Sequence, residues 1–96
     1  MSIRSAYDFD PERDLELLPV LISTCEGVET GNSGQTITLR LVSDIPLTVQ
    51  DIGRLIIVHG KCRSRGKELT LRCSETVYTQ LTKCWLDRIV WTERIG

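Results

Sequence analysis

Aromatic side chains are scarce here, one Phe, two Tyr and two Trp in 96 residues. Proteins that hold single-stranded nucleic acid unaided stack its bases on aromatic rings, so tight autonomous binding is not expected of this chain. Histidine is scarcer still: His59 stands alone, among basic residues and without a carboxylate to orient it, which leaves general-base, Ser/His/Asp and Cys/His catalysis without a foundation. No GxxxxGK loop precedes a helix, since Gly60-Lys61 ends no suitable glycine loop. The four cysteines, at 25, 62, 73 and 84, form no Cys-x-x-Cys pair. Zinc sites draw their ligands from such close pairs, so no metal or other cofactor is expected, and the thiols read as small apolar core residues in a reducing compartment. Asp8, Asp10, Glu12 and Asp14 lack the ligand spacing of a calcium loop and read as a solvated cap. No apolar run approaches the roughly eighteen residues of a bilayer helix, and the start MSIRSAYDFDPERD is acidic where a secretory signal is basic and then apolar. The expectation is an intracellular chain that makes no use of a membrane.

What is present is an ordinary globular composition, 41% hydrophobic and 26% charged, of a length that suits one domain over residues 1–96. The net charge of −1 conceals a division: residues 1–50 carry eight acidic side chains against three basic, a balance of −5, and residues 51–96 nine basic against five acidic, a balance of +4. Asp10-Pro11 opens a short helix or turn that Pro19 stops. VLISTCEGVE reads as a strand, Thr30-Gly31-Asn32-Ser33-Gly34 as a flexible loop, and QTITLRLVSD as a strand whose Ile37, Leu39 and Leu41 face a core. Ile45–Val49 reads as a short third strand held to an edge by Pro46.

The stretch GRLIIVHGKCRSRGKELTLRCSETVY reads as a hairpin with Arg65-Gly66 as its two-residue turn. That register puts Ile56, Val58, Gly60, Cys62, Leu69, Leu71 and Cys73 on one face, and His59, Lys61, Arg63, Glu68, Thr70, Arg72 and Ser74 on the other. After Tyr78, Thr79 can cap a helix over about 80–93, with Leu81, Trp85 and Ile89 at four-residue spacing and Leu86 and Val90 widening the stripe. A strand with Trp85, Ile89 and Trp91 on one face is the alternative.

Strand, loop, strand, short third strand, long hairpin and C-terminal helix together resemble the OB-fold, from about Leu18 to Tyr78. The segment from Gly53 to Leu69 looks like strand 4, the loop between strands 4 and 5 and the start of strand 5 in single-stranded-DNA-binding OB domains. With a C-terminal helix and no second domain, the chain is most similar to the small subunits of replication protein A and of telomeric CST-type complexes. The resemblance implies a mostly β fold: a five-stranded OB-fold barrel over about 18–78, a C-terminal α-helix over about 80–93 and a short N-terminal helix or turn. It also implies a nuclear, non-enzymatic subunit of a single-stranded-DNA-binding complex at telomeres or in replication and repair. That subunit would pair with another OB-fold protein through its terminal helix and meet single-stranded DNA within the complex.

On that reading Arg40, Lys61, Arg63, Arg65, Lys67 and Arg72 are the candidate phosphate contacts, the alternative being a solvated hairpin. Leu86, Val90 and Trp91, with Trp85 and Ile89, are the candidate partner interface, the alternative being that the barrel's open end covers them. Two other functions stay open, a structural OB-fold adaptor without nucleic-acid contact and an autonomous RNA- or DNA-binding module.

Overall fold

A computed structural model of the chain describes residues 8–21 and 29–95. β1 (Glu29–Ser33) and β2 (Thr36–Leu41) pair antiparallel, Ser33 opposite Thr36, across a two-residue turn. Gly34 holds φ +60° there, which the primed hairpin turns require. The alternation read in QTITLRLVSD is present in β2, whose Ile37, Leu39 and Leu41 are all fully buried. The loop expected over residues 30–34 is instead β1 and the start of its turn. Gly, Asn and Ser are poor strand formers, but backbone pairing with β2 outweighs local preference. The strand expected over VLISTCEGVE lies partly outside the described residues. Its first two residues belong to α1 (Leu18–Leu21) and its last to β1.

The largest correction is the hairpin. Its proposed first strand is a helix, α2 (Val49–Ser64), and its second is β3 (Glu68–Cys73). Thr48 caps α2 by accepting the Asp51 N–H at 3.2 Å, so the third strand expected at Ile45–Val49 is a loop and a helix start. Leu55, Val58 and Cys62 are the buried apolar residues of α2, at helical spacings of three and four. A hairpin would have buried Ile56, which is 42% exposed, and turned Leu55 outward, which is fully buried. Gly66 does take the positive φ read from its sequence, +71°, but it ends a helix. Lys67 N–H reaches Cys62 O at 2.9 Å and Gly66 N–H reaches Arg63 O at 3.0 Å, the paired bonds of a Schellman cap.

The C-terminal helix is also revised. α3 (Glu75–Lys83) starts earlier than expected, capped by Ser74, and stops where Trp85 enters the left-handed region at φ 64°. A 3₁₀ turn at Leu86–Arg88 then leads into β4 (Trp91–Arg94). The sheet order is β1-β2-β3-β4, with β2, β3 and β4 mutually parallel.

There is therefore no closed five-stranded OB barrel and the chain is not mostly β: the sheet is open and helix outweighs strand. Parallel neighbours need crossovers, and right-handed crossovers running in one direction place both helices on one face. The core accordingly lies between Ile37, Leu39, Leu41, Leu69, Leu71 and Cys73 of the sheet and Leu55, Val58, Cys62, Val77 and Leu81 of the helices. Each fully buried Leu there contributes on the order of 2 kcal/mol. The N-terminal segment adds Phe9, Leu18 and Leu21 to the same core. It runs antiparallel along α2, with Asp10 3.5 Å from Arg65 and the Leu21 carbonyl accepting from Arg54 at 3.0 Å. Among the described residues nothing covers the other face of the sheet, which carries Arg40, Arg72 and Trp91, all exposed.

Candidate docking site

The loop from Val42 to Thr48 leaves the carboxyl end of β2, the end of an open parallel sheet where such folds place their ligands. Its backbone is built from both sides. Ser43, 8% exposed, accepts the Ile45 N–H on its hydroxyl at 3.0 Å, while its carbonyl accepts the Ser74 hydroxyl at 2.6 Å. Gln80 of α3 grips Leu47 twice, its side-chain oxygen accepting the Leu47 N–H and its amide donating to the Leu47 carbonyl, both at 2.7 Å. The Leu47 side chain drops into the core, and Thr48 begins α2. Held this way, the loop presents Val42 and Ile45 at 40% and 61% exposure, and the first residue of α2, Val49, is 86% exposed beside it in sequence. Apolar groups on a backbone already fixed lose little freedom when a partner covers them.

In the first turn of α2, directly after the loop, Asp51 is buried. One carboxylate oxygen stands 3.4 Å from Arg54, and the other has no partner among the described residues. A carboxylate in the first turn of α2 is favoured by the helix dipole.

The opposite end of the sheet holds a second feature, an open pocket of about 320 Å³. His59, Arg63 and Lys67 supply one wall, Leu69 and Glu68 of β3 another, and Ile89 and Trp91 a third. Burial, and then the positive charge of Arg63, hold the His59 imidazole below its ordinary pKa, and its Nδ1 has no partner among the described residues. Burial pushes the neighbouring Cys62 thiol up to about 11, although Lys67 works against it.

The six candidate phosphate contacts do not share one surface. Arg40 and Arg72 are register neighbours on the uncovered sheet face, where Arg72 lies 3.7 Å from Glu93. Lys61, Arg63 and Arg65 sit at the C-terminal end of α2 and Lys67 just past it, where cations complement the helix dipole. Arg65 pairs with Asp10, and only Arg63 and Lys67 enter the pocket. The five candidate interface residues divide as well: Leu86 and Val90 are 1% exposed and belong to the core, whereas Trp85, Ile89 and Trp91 are exposed. Sequence reasoning missed Val42, Ile45 and Val49. An apolar residue directly after a helix cap, as Val49 stands after Thr48, was the available signal; Gln80, 33 positions from Leu47, gave none.

Among the described residues no helix is long and apolar enough to cross a membrane, and no group of three or more His, Cys, Asp or Glu is placed to hold a metal ion. Comparison of the chain with protein families, with characterised proteins and with solved structures finds no match.

Proposed function

We propose that this chain is a non-enzymatic adaptor that joins an assembly by setting the Val42–Thr48 loop and the start of α2 against an apolar surface of a partner protein. One observation carries the reading: Ile45 and Val49 are held in the open by a backbone that Gln80, Ser74 and Ser43 fix with hydrogen bonds. A small domain gains nothing in its own stability from large apolar groups so placed, and exposed apolar groups on rigid supports are what interfaces are built from.

The test places a photo-crosslinking residue at Ile45, at Val49 and, as a control, at Thr38 on the uncovered sheet face, and follows assembly of the Ile45→Asp, Val49→Asp variant. Crosslinks to one partner from the first two positions only, together with a folded variant that no longer assembles, are the expected result. Normal assembly by the variant would overturn the reading.

A second reading, contact of the assembled complex with single-stranded DNA, draws support from the cations gathered at the end of α2. The nuclear location expected from the sequence rests on that same reading. Replacing Arg63, Arg65 and Lys67 together should flatten the salt dependence of DNA binding by up to about three units in log–log slope. An unchanged slope assigns these residues to the helix terminus alone.

A further inference from the structure

The pocket at the amino ends of β3 and β4 owes its existence to a mismatch in strand length. Pairing between β3 and β4 begins only at Thr70 and Trp91, so among the described residues Glu68 and Leu69 have no strand partner on that side. The space a longer β4 would have filled is the pocket. Ile89 and Trp91, with the edge of Leu69, supply its apolar lining, and Arg63 and Lys67, with Glu68 and His59, its polar lining.

Trp91 is exposed at the mouth of the pocket. Its indole N–H donates to Glu93 Oε1 at 2.8 Å, and Glu93 in turn lies 3.7 Å from Arg72. With its polar edge so occupied, the ring has its apolar surface left to offer. Arg63 and Lys67 set against Glu68 leave one surplus positive charge, which suits a monoanion better than a dianion. The volume of about 320 Å³ lies at the small end for ligand sites.

From the juxtaposition of two cations with an exposed indole and an exposed aliphatic side chain, we infer that this pocket binds a small amphipathic monocarboxylate, its head at Arg63 and Lys67 and its hydrocarbon body against Trp91 and Ile89. The site is at the opposite end of the sheet from the docking loop and stands or falls separately from the adaptor reading. A charge-assisted pair to the carboxylate supplies orientation, and burial of the hydrocarbon against Trp91 supplies the rest of the affinity.

The experiment is an amide-correlation NMR titration of the ¹⁵N-labelled full chain with three probes. Hexanoate has both head and body, acetate has the head alone, and hexylammonium has the body with the opposite charge. Saturable shifts at the Leu69 and Ile89 amides and at the Trp91 indole N–H are expected with hexanoate. Acetate and hexylammonium should bind about tenfold more weakly or worse, and the Arg63→Ala, Lys67→Ala variant should lose about tenfold or more of the hexanoate affinity. Arg63 is exposed and Lys67 half-buried, so the variant should keep its remaining spectrum as a check on folding. Trp91→Ala should weaken hexanoate while leaving acetate unchanged. Equal binding of hexanoate and hexylammonium, an unaffected double variant, or no saturable shift at the pocket would each overturn the assignment.

Discussion

Cys62 and Cys84 lie 22 positions apart in sequence and at opposite ends of the exposure scale, the first fully buried and the second exposed. Thiolate is the reactive form, and burial has pushed the Cys62 thiol up to about 11. Limited alkylation of the native chain at mild pH, read by peptide mass spectrometry, should therefore modify Cys84 and spare Cys62 and Cys73. Early modification of Cys62 would show that the core opens far more readily than its packing implies. His59 offers a second residue-scale prediction. The unfolded chain protonates it near 6.5, whereas burial and Arg63 delay protonation in the folded state, so between the two values the unfolded chain holds more protons. Stability should rise with pH through that window and fall as pH drops below roughly 6.5. The other charged groups lining the same pocket are Arg63, Lys67 and Glu68. His59→Asn should flatten denaturation midpoints measured between about pH 7 and pH 5, and an unaltered slope would count against the burial argument.

At the scale of elements, α2 can be told from a strand by two neighbouring substitutions. Leu55→Ala empties a fully buried site and should cost about 2–5 kcal/mol, while Ile56→Ala, at a site 42% exposed, should cost less than about 1 kcal/mol. Chemical denaturation of both variants decides the matter, because a hairpin would reverse the order. Trp85 is the second element-scale case. It ends α3 in the left-handed conformation that glycine takes freely and that costs other residues about 1–2 kcal/mol. Stacking of Arg88 at 4.3 Å over its ring offsets part of that cost. Trp85→Gly loses the stacking but relieves the backbone, and Trp85→Ala loses the stacking with no relief. The glycine variant should thus be the more stable of the two by about 1 kcal/mol, and equal midpoints would show that residue 85 carries no strain.

For the whole molecule, the Val42–Thr48 loop and α3 are joined through Gln80. Gln80→Ala leaves the N–H and carbonyl of Leu47 without their 2.7 Å partners, at a cost of about 1–3 kcal/mol in thermal or chemical denaturation. The same change loosens Ile45 and Val49, so partner binding should weaken more than stability alone accounts for. A variant that loses stability yet binds its partner unchanged would separate the loop's order from its docking role. The division of charge along the chain also takes a spatial form. The acidic N-terminal segment returns along α2, and Asp10 meets Arg65 at the basic end of that helix.

By itself the sequence determined β2, the positive φ of Gly66 and much of the buried set, because each follows from local chemistry. Alternation requires one buried face, Gly66 alone tolerates its backbone angle cheaply, and Cys62, Leu69, Leu71 and Cys73 are buried on either the hairpin or the helical reading. What tertiary structure decided was the period of residues 49–64. Val58 and Cys62 fall on one face at a repeat of two and at a repeat of 3.6 alike, so they could not discriminate, whereas Leu55 and Ile56 exchange faces between the two readings. Once that run is a helix, β2 and β3 must be parallel neighbours, Leu86 and Val90 turn inward, and Trp91 begins a strand. The candidate sites were the least legible part. The loop is held by Gln80 from 33 residues away, and the pocket is lined from α2, the start of β3 and the approach to β4 together. Both depend on contacts between elements far apart in the chain, which local pattern cannot express.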